Sequence, residues 1–352
     1  MLFVEPRFFI FFLIVVTIYW NCKSNQSRKL ILLAASYAFY AAWDYRFLSL
    51  IVVSTIVDYI AARRIEKAAV PRHRTHWLIL SLVVNLGTLF IFKYFNFFSQ
   101  SFADLMNYFG IDVGYNTLNI ILPVGISFYT FQTLSYTIDV YRKHIKARSS
   151  VLDVAVFVAF FPQLVAGPIV RAIEFLPQLD TVRYFSKVPL KACMALFLIG
   201  YIKKTGISDN IAPYVDMVFQ NPQLYDAAAI YSAVLLYATQ IYCDFSGYSD
   251  MAIAIAGLLG YRLPLNFAAP YFAHSLSEFW RRWHISLSSW LRDYLYISLG
   301  GNRYGELKTY RNLMLTMLLG GLWHGASWNF VIWGALHGSG LSIHRLSQKI
   351  RI

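Results

Sequence analysis

Charge is what this chain has least of. Asp, Glu, Lys and Arg make up 14% of its 352 residues while 58% are hydrophobic, against about 25% charged and about 45–50% apolar in soluble domains. No polar stretch is long enough to form a soluble domain, so residues 1–352 read as a single membrane domain, an all-α polytopic protein. Cysteine is scarce as well. Cys22, Cys193 and Cys243 are odd in number, far apart and without a CxxC pair, which excludes a disulfide framework and a zinc site; no metal is expected. No internal repeat appears, which weakens a transporter reading, because many transporters carry paired halves. The net charge of +13 is spread over short loops between apolar runs. That pattern suits anionic lipid headgroups, and no nucleic-acid partner is expected.

What the chain has in abundance is apolar runs. They recur near residues 8–20, 30–43, 46–61, 76–95, 118–140, 151–168, 190–202, 227–243, 248–262, 311–323 and 328–346, which predicts about 10–11 transmembrane or re-entrant helices. Several fall short of the ~20 residues of a perpendicular span, and short or broken segments at depth line cavities. Pro123, Pro162 and Gly167-Pro168 are the candidate breaks. The first run is followed by Asn21-Cys22-Lys23 without an A-x-A-like cleavage site, so an uncleaved helix is expected.

Three basic clusters set the orientation: Lys23, Arg28 and Lys29; Arg63, Arg64, Lys67, Arg72 and Arg74; Arg142, Lys143, Lys146 and Arg148. Two apolar runs separate each cluster from the next, so all three share one side, the cytoplasmic one by the positive-inside rule. The N-terminus is then outside. The linker from Asn96 to Asn119 carries Asp104 and Asp112 and no Lys or Arg, as expected of an external loop.

From Gln240 to Gly338 polar residues enter sequence that is otherwise fit for a membrane. QIYCDFSGYSDMA holds Asp244 and Asp250, which are expected to pair with the arginines of SEFWRRWHISLSSWLRDYLYI, residues 277–297. In that second block Glu278 lies in helical pairing distance of Arg281 and Arg282. On a continuous helix Trp280 and His284 would share a face. The block suits an interfacial or re-entrant helix, and an anchor with snorkelling arginines is the plainer reading. GGLWHGASWN, residues 320–329, sets His324 in a nearly uncharged, glycine-flanked segment. An imidazole at membrane depth is by default a functional-site hypothesis, and two histidines brought to one cavity suggest acid–base chemistry. Gly321 and Gly325 stand at GxxxG spacing, which reads as close helix packing. His73, His76 and His144 lie in or beside basic loops and read as solvated, His274 and His344 as structural. His337 falls on nearly the opposite face from His324 of one continuous helix, unless a break at Asn329 brings it closer.

YCDFSGYSDMAIAIAGLLGYRLPLNFAAPY, FWRRWHISLSSWLRDYLYISLGGN and GGLWHGASWNFVIWGALHG together resemble the membrane-bound O-acyltransferase family, in its bacterial alginate O-acetylase branch. The resemblance is strongest over 240–338, which marks a catalytic core after N-terminal helices at 1–239, and it implies a helical bundle around a central catalytic cavity. It makes His324 the catalytic histidine and His284 the second active-site position. The implied reaction moves acetyl groups from cytoplasmic acetyl-CoA across the inner membrane for O-acetylation of an exopolysaccharide such as alginate, with a periplasmic acetyltransferase partner. No Gly-rich phosphate loop is present, so the acetyl-CoA donor follows from the resemblance alone, with Arg281 and Arg282 as candidates for its phosphates. A D-alanyl transferase of teichoic-acid modification is the alternative within the family; a transporter or scaffold is the non-enzymatic one. Nothing specifies an acyl-chain tunnel, which disfavours lipid acylation. The chain ends at Arg351-Ile352 where members typically continue with further helices, as expected of a short member or a truncated product.

Overall fold

The computed structural model describes residues 1–115 and 117–350. Asn116, part of the expected external loop, and Arg351-Ile352 lie outside the described residues. Those residues are all-α, with helices and no strand. In chain order the helices are α1 Pro6–Asn21, α2 Asn25–Asp44, α3 Leu48–Lys67, α4 Pro71–Leu89, α5 Phe95–Tyr108, α6 Ile126–Tyr141, α7 Val151–Ala159, α8 Phe161–Leu164 and α9 Ala172–Leu179. They continue with α10 Leu190–Tyr201, α11 Asp209–Gln220, α12 Ala227–Leu258, α13 Leu276–Arg282, α14 Ile285–Trp290, α15 Glu306–His324 and α16 Trp328–Ile350. Wider π-helical turns join α4 to α5 (Phe90–Tyr94), join α10 to α11 (Ile202–Ser208) and extend α14 (Leu291–Tyr296).

Among the described residues two helical runs, Asn25–Lys67 and Pro71–Tyr108, are long and apolar enough to cross a membrane. The exposed faces are apolar too. Ile10, Leu13, Leu235, Leu336 and Ile343 are each at least 65% exposed. Helix starts follow local chemistry: Pro6 and Pro71 open α1 and α4, and Ser24, Ser150, Asp226 and Ser275 accept backbone N–H groups as N-caps. Around the expected breaks, the chain is irregular before α6 at Pro123, α7 gives way to α8 at Phe160 ahead of Pro162, and Gly167 follows the end of α8.

The chain forms two compact units, Met1–Ile51 with Ser150–Asn266, and Val52–Ser149 with Phe267–Ile352. In the first unit α10 and α12 cross so closely that a Cβ on Gly200 would stand 2.5 Å from the Gly247 oxygen, and one on Gly247 2.6 Å from the Gly200 oxygen. The runs at 227–243 and 248–262, expected as two spans, are one helix of 32 residues, α12. The acids Asp244 and Asp250 meet cations of the π-turn after α10: Lys203 Nζ meets Asp250 at 2.7 Å, and Lys204 Nζ meets Asp244 at 2.6 Å. The expected pairing of Asp244 and Asp250 with the arginines near His284 is therefore replaced by these lysine pairs.

The second unit is held by buried polar groups as well as aromatic packing. Asp58 on α3 accepts from the Ser81 hydroxyl, from Asn85 Nδ2 at 2.9 Å and from Thr137 Oγ1 at 3.0 Å. That satisfies a fully buried carboxylate with neutral donors. Phe131 and Trp290 stack at 3.8 Å between centroids, and the Trp290 indole N–H donates to the Phe131 carbonyl at 3.0 Å.

Candidate active site

The site grows from the hairpin of α15 and α16. α15 ends at His324, and the chain turns through Gly325 to Ser327 before α16 begins at Trp328. The two helices touch backbone to backbone: a Cβ on Gly321 would lie 2.2 Å from the Phe330 oxygen, and one on Gly334 2.5 Å from the Met317 oxygen. Of the pair at GxxxG spacing, Gly321 packs on the α16 backbone as the sequence implies, while Gly325 lies past the end of α15, where a Cβ would stand 2.2 Å from the Phe330 ring. The break falls just ahead of Asn329, and it folds His337 back toward His324. Trp333 lies between them, with ring centroids 5.0 Å from His324 and 4.4 Å from His337. A continuous helix through 324 and 337 is thereby corrected.

The His324 Nδ1 atom is 2.7 Å from the Gly320 carbonyl oxygen, one helical turn back. A carbonyl oxygen only accepts, so Nδ1 carries the proton, and in the neutral ring Nε2 holds the lone pair. His324 is exposed at the wall of a cavity of about 240 Å³ that is also lined by Trp280, Ser288, Arg292, Thr316 and Trp333. The ring therefore has a fixed tautomer and an accessible face.

His284 faces it with ring centroids 6.5 Å apart. It is buried, at 1% exposure, and takes a left-handed backbone conformation at φ 43° and ψ 54°. For a non-glycine residue that geometry costs on the order of 1–3 kcal/mol, and such outliers cluster at functional sites. The kink ends α13 and starts α14, so Trp280 and His284 do not share a helical face, contrary to the continuous-helix expectation. Phe267 and Phe128 lie 6.4 and 6.5 Å from the His284 ring, and Trp323 lies 5.7 Å from it.

The two arginines chosen from the sequence sit at the end of α13. Arg282 pairs with Glu278 at 2.5 Å, as the i,i+4 spacing implies, and Arg281 is exposed. Neither lines the cavity beside His324. Arg292 does, on the π-turn after α14, with its guanidinium held by Asp293 at 2.6 Å. His73, His76, His144 and His274 are exposed, and the His274 backbone N–H donates to Glu278 at 2.8 Å.

Lys93 is the residue that sequence reasoning passed over. It lies on the π-turn between α4 and α5, where its ammonium donates to the Trp323 carbonyl and, at 3.0 Å, to Ser127 Oγ. Next to it the Tyr94 hydroxyl donates to the Leu322 carbonyl at 2.9 Å. The last carbonyls of α15, unpaired within the helix, are thus capped by a cation and a phenol from a neighbouring helix. A lysine in the run FIFKYFNFF was the available signal, since charge inside an apolar run marks function or a partner.

The family of this all-α chain is shown by its sequence matches. The family model of MBOAT, the membrane-bound O-acyltransferase family, covers residues 140–351, and the chain belongs to that family of membrane enzymes. Two similar relatives are named "Probable alginate O-acetylase": that of Azotobacter vinelandii is 46% identical over 96% of this chain and 67% of its own length, and that of Pseudomonas aeruginosa 47% identical over 98% and 66%. The peptidoglycan O-acetyltransferase of Helicobacter pylori is 41% identical over 92% of this chain and 65% of its own length. The chain spans about two thirds of the length of these curated relatives. The teichoic acid D-alanyltransferase of Bacillus subtilis is more distant, at 27% identity over 66% of this chain and 61% of its own length.

Proposed function

We propose that this chain is an O-acetyltransferase of the bacterial inner membrane, passing acetyl groups from cytoplasmic acetyl-CoA outward for O-acetylation of a glycan such as alginate. The single observation that carries the chemistry is the hydrogen bond between His324 Nδ1 and the Gly320 carbonyl, which leaves Nε2 available as a base. In this reading Nε2 takes the proton of the acceptor hydroxyl as its oxygen adds to the thioester carbonyl. The tetrahedral oxyanion then collapses, the C–S bond breaks, and the imidazolium returns its proton to the departing thiolate. His284 orients the acceptor or donates to the oxyanion, a role whose strength depends on a dry setting; its burial supports this. Arg281 and Arg282 receive the donor phosphates, and Arg292 at the cavity wall is a further cation for the same anion.

The proposal includes a bundle of about 10–11 membrane or re-entrant helices around a central cavity, multi-pass, with the N-terminus outside, and a periplasmic acetyltransferase partner that completes transfer to the polymer. The kinship with proteins named alginate O-acetylase and peptidoglycan O-acetyltransferase supports acetyl and a glycan acceptor. The lower identity to a D-alanyltransferase supports the teichoic-acid alternative less. The test is transfer from radiolabelled acetyl-CoA in reconstituted vesicles supplied with partner and acceptor, beside a D-alanyl carrier protein. His324→Ala is expected to insert normally and lose at least ~100-fold in transfer, the scale of general-base removal. Near-normal transfer by that variant overturns the role of His324, and use of the carrier protein in place of acetyl-CoA overturns the donor.

A further inference from the structure

The first unit carries a polar cleft of about 530 Å³ that plays no part in the histidine chemistry. Arg183, Lys187 and Arg262 line it, together with the rings of Tyr184 and Tyr261 and the backbone around Gly260; no Asp or Glu is among its walls. Three cations without a carboxylate form a site of one sign. Its walls are fixed. Gln178 Nε2 donates to the Arg262 carbonyl at 3.0 Å and Gln178 Oε1 accepts from the Arg262 N–H at 2.9 Å, which locks the 262 turn to α9. Arg183 lies with its guanidinium carbon 5.1 Å from the Tyr261 ring centre, and its Nη2 donates to the Gln178 carbonyl at 2.5 Å. Its Nε–H is buried and meets no acceptor among the described residues.

The cleft adjoins the turn between α1 and α2: Arg28 Nη1 donates to the Arg183 carbonyl at 2.5 Å, and Asn25 Nδ2 to the Leu179 carbonyl at 2.9 Å. Trp20 packs on Phe185 at 5.4 Å while its indole N–H donates to the Leu258 carbonyl at 3.1 Å. A tryptophan with an apolar body and a bonded tip, beside tyrosines and cations, is the composition of a membrane interface at headgroup depth. At that depth the abundant anion is phosphate, and the exposed cations Lys187 and Arg262 are the groups suited to it.

We propose that this cleft is a phosphate-binding site, filled by an anionic phospholipid headgroup or by a soluble phosphate ester. The full chain is reconstituted in nanodiscs of pure phosphatidylcholine, in discs of phosphatidylcholine and phosphatidylglycerol in equal parts, and in pure phosphatidylcholine discs with added glycerol 3-phosphate, and its thermal midpoint is followed. Ligand that binds only the folded state raises the midpoint. A rise with phosphatidylglycerol alone identifies a lipid headgroup, and a rise with glycerol 3-phosphate a soluble ester. Lys187→Gln with Arg262→Gln, which leaves the Gln178 backbone bonds in place, is expected to weaken the apparent affinity roughly 30-fold, from about 1 kcal/mol per cation at a membrane surface. Should the double variant fold poorly, Lys187→Gln alone is expected to weaken it about 5-fold. The charge-matched Lys67→Gln with Arg72→Gln is expected to leave the affinity unchanged. No rise with either ligand, or an equal loss in the charge-matched control, overturns the site.

Discussion

Lys93 holds the end of the helix that presents His324: its ammonium donates to the Trp323 carbonyl, the residue immediately before the histidine. Replacement by Met keeps the length of the side chain and removes the donor, leaving a buried carbonyl without its partner at a cost of about 1–3 kcal/mol. Turnover by Lys93→Met is expected to fall by about 10–100-fold, because small misplacements of a reacting group are that costly, with the donor KM little changed. Lys93→Arg, which keeps a cation, is expected to recover part of the loss. Steady-state kinetics in vesicles decide the matter, and a Lys93→Met enzyme with wild-type kcat rules out the clamp.

The hairpin beneath the site has no room for side chains at its crossing. Gly334→Ala sets a methyl 2.5 Å from the Met317 oxygen, and overpacking of this kind costs about 1–3 kcal/mol. Gly87→Ala on α4 meets nothing within 4 Å and is expected to be neutral or to stabilise by up to ~1 kcal/mol, the helix-propensity difference. Thermal unfolding of the two variants side by side checks the contrast; equal midpoints exclude a tight crossing at Gly334.

Asp250 belongs to Lys203. A double-mutant cycle of Asp250→Asn with Lys203→Met is expected to give a coupling of about 1 kcal/mol, the top of the range for exposed pairs, because this pair is largely buried. The cycle of Asp250→Asn with Arg281→Gln is expected to give none. The reverse ranking restores the pairing that sequence spacing suggested.

Sidedness is read by cysteine accessibility in a background lacking Cys22, Cys193 and Cys243. A cysteine in place of exposed Val70, in the turn after α3, is expected to label only from the cytoplasm, and one in place of exposed Tyr108, at the end of α5, only from outside, as the charge bias assigns. The opposite pattern inverts the topology.

How much of this was legible in the sequence depended on the range of the interaction. The close packing at Gly321 and the i,i+4 pair of Glu278 with Arg282 depend on spacing within a few residues, and spacing is what a sequence displays. The single helix α12 was hidden, because its polar middle looks like an interruption until Lys203 and Lys204 are seen across the crossing. The kink at His284 was hidden for the opposite reason: FWRRWHISL has good helical composition, and only the tertiary setting imposes the left-handed turn. Lys93 was visible as a charge in an apolar run, but its carbonyl partner is 230 residues away.

The hydrogen bond from His324 to Gly320 gives the site an unusual invisibility. In a hydrolytic triad the group that orients the histidine is a carboxylate, and its removal by mutation announces it. Here the orienting oxygen belongs to the main chain, which every substitution at position 320 retains. A scan of side chains therefore finds no acidic companion for this histidine, and a pH profile is expected to contain no carboxylate limb from an orienting acid. Only a change in the backbone itself, such as an ester linkage between residues 320 and 321 that weakens this carbonyl as an acceptor, reaches the group that sets the tautomer.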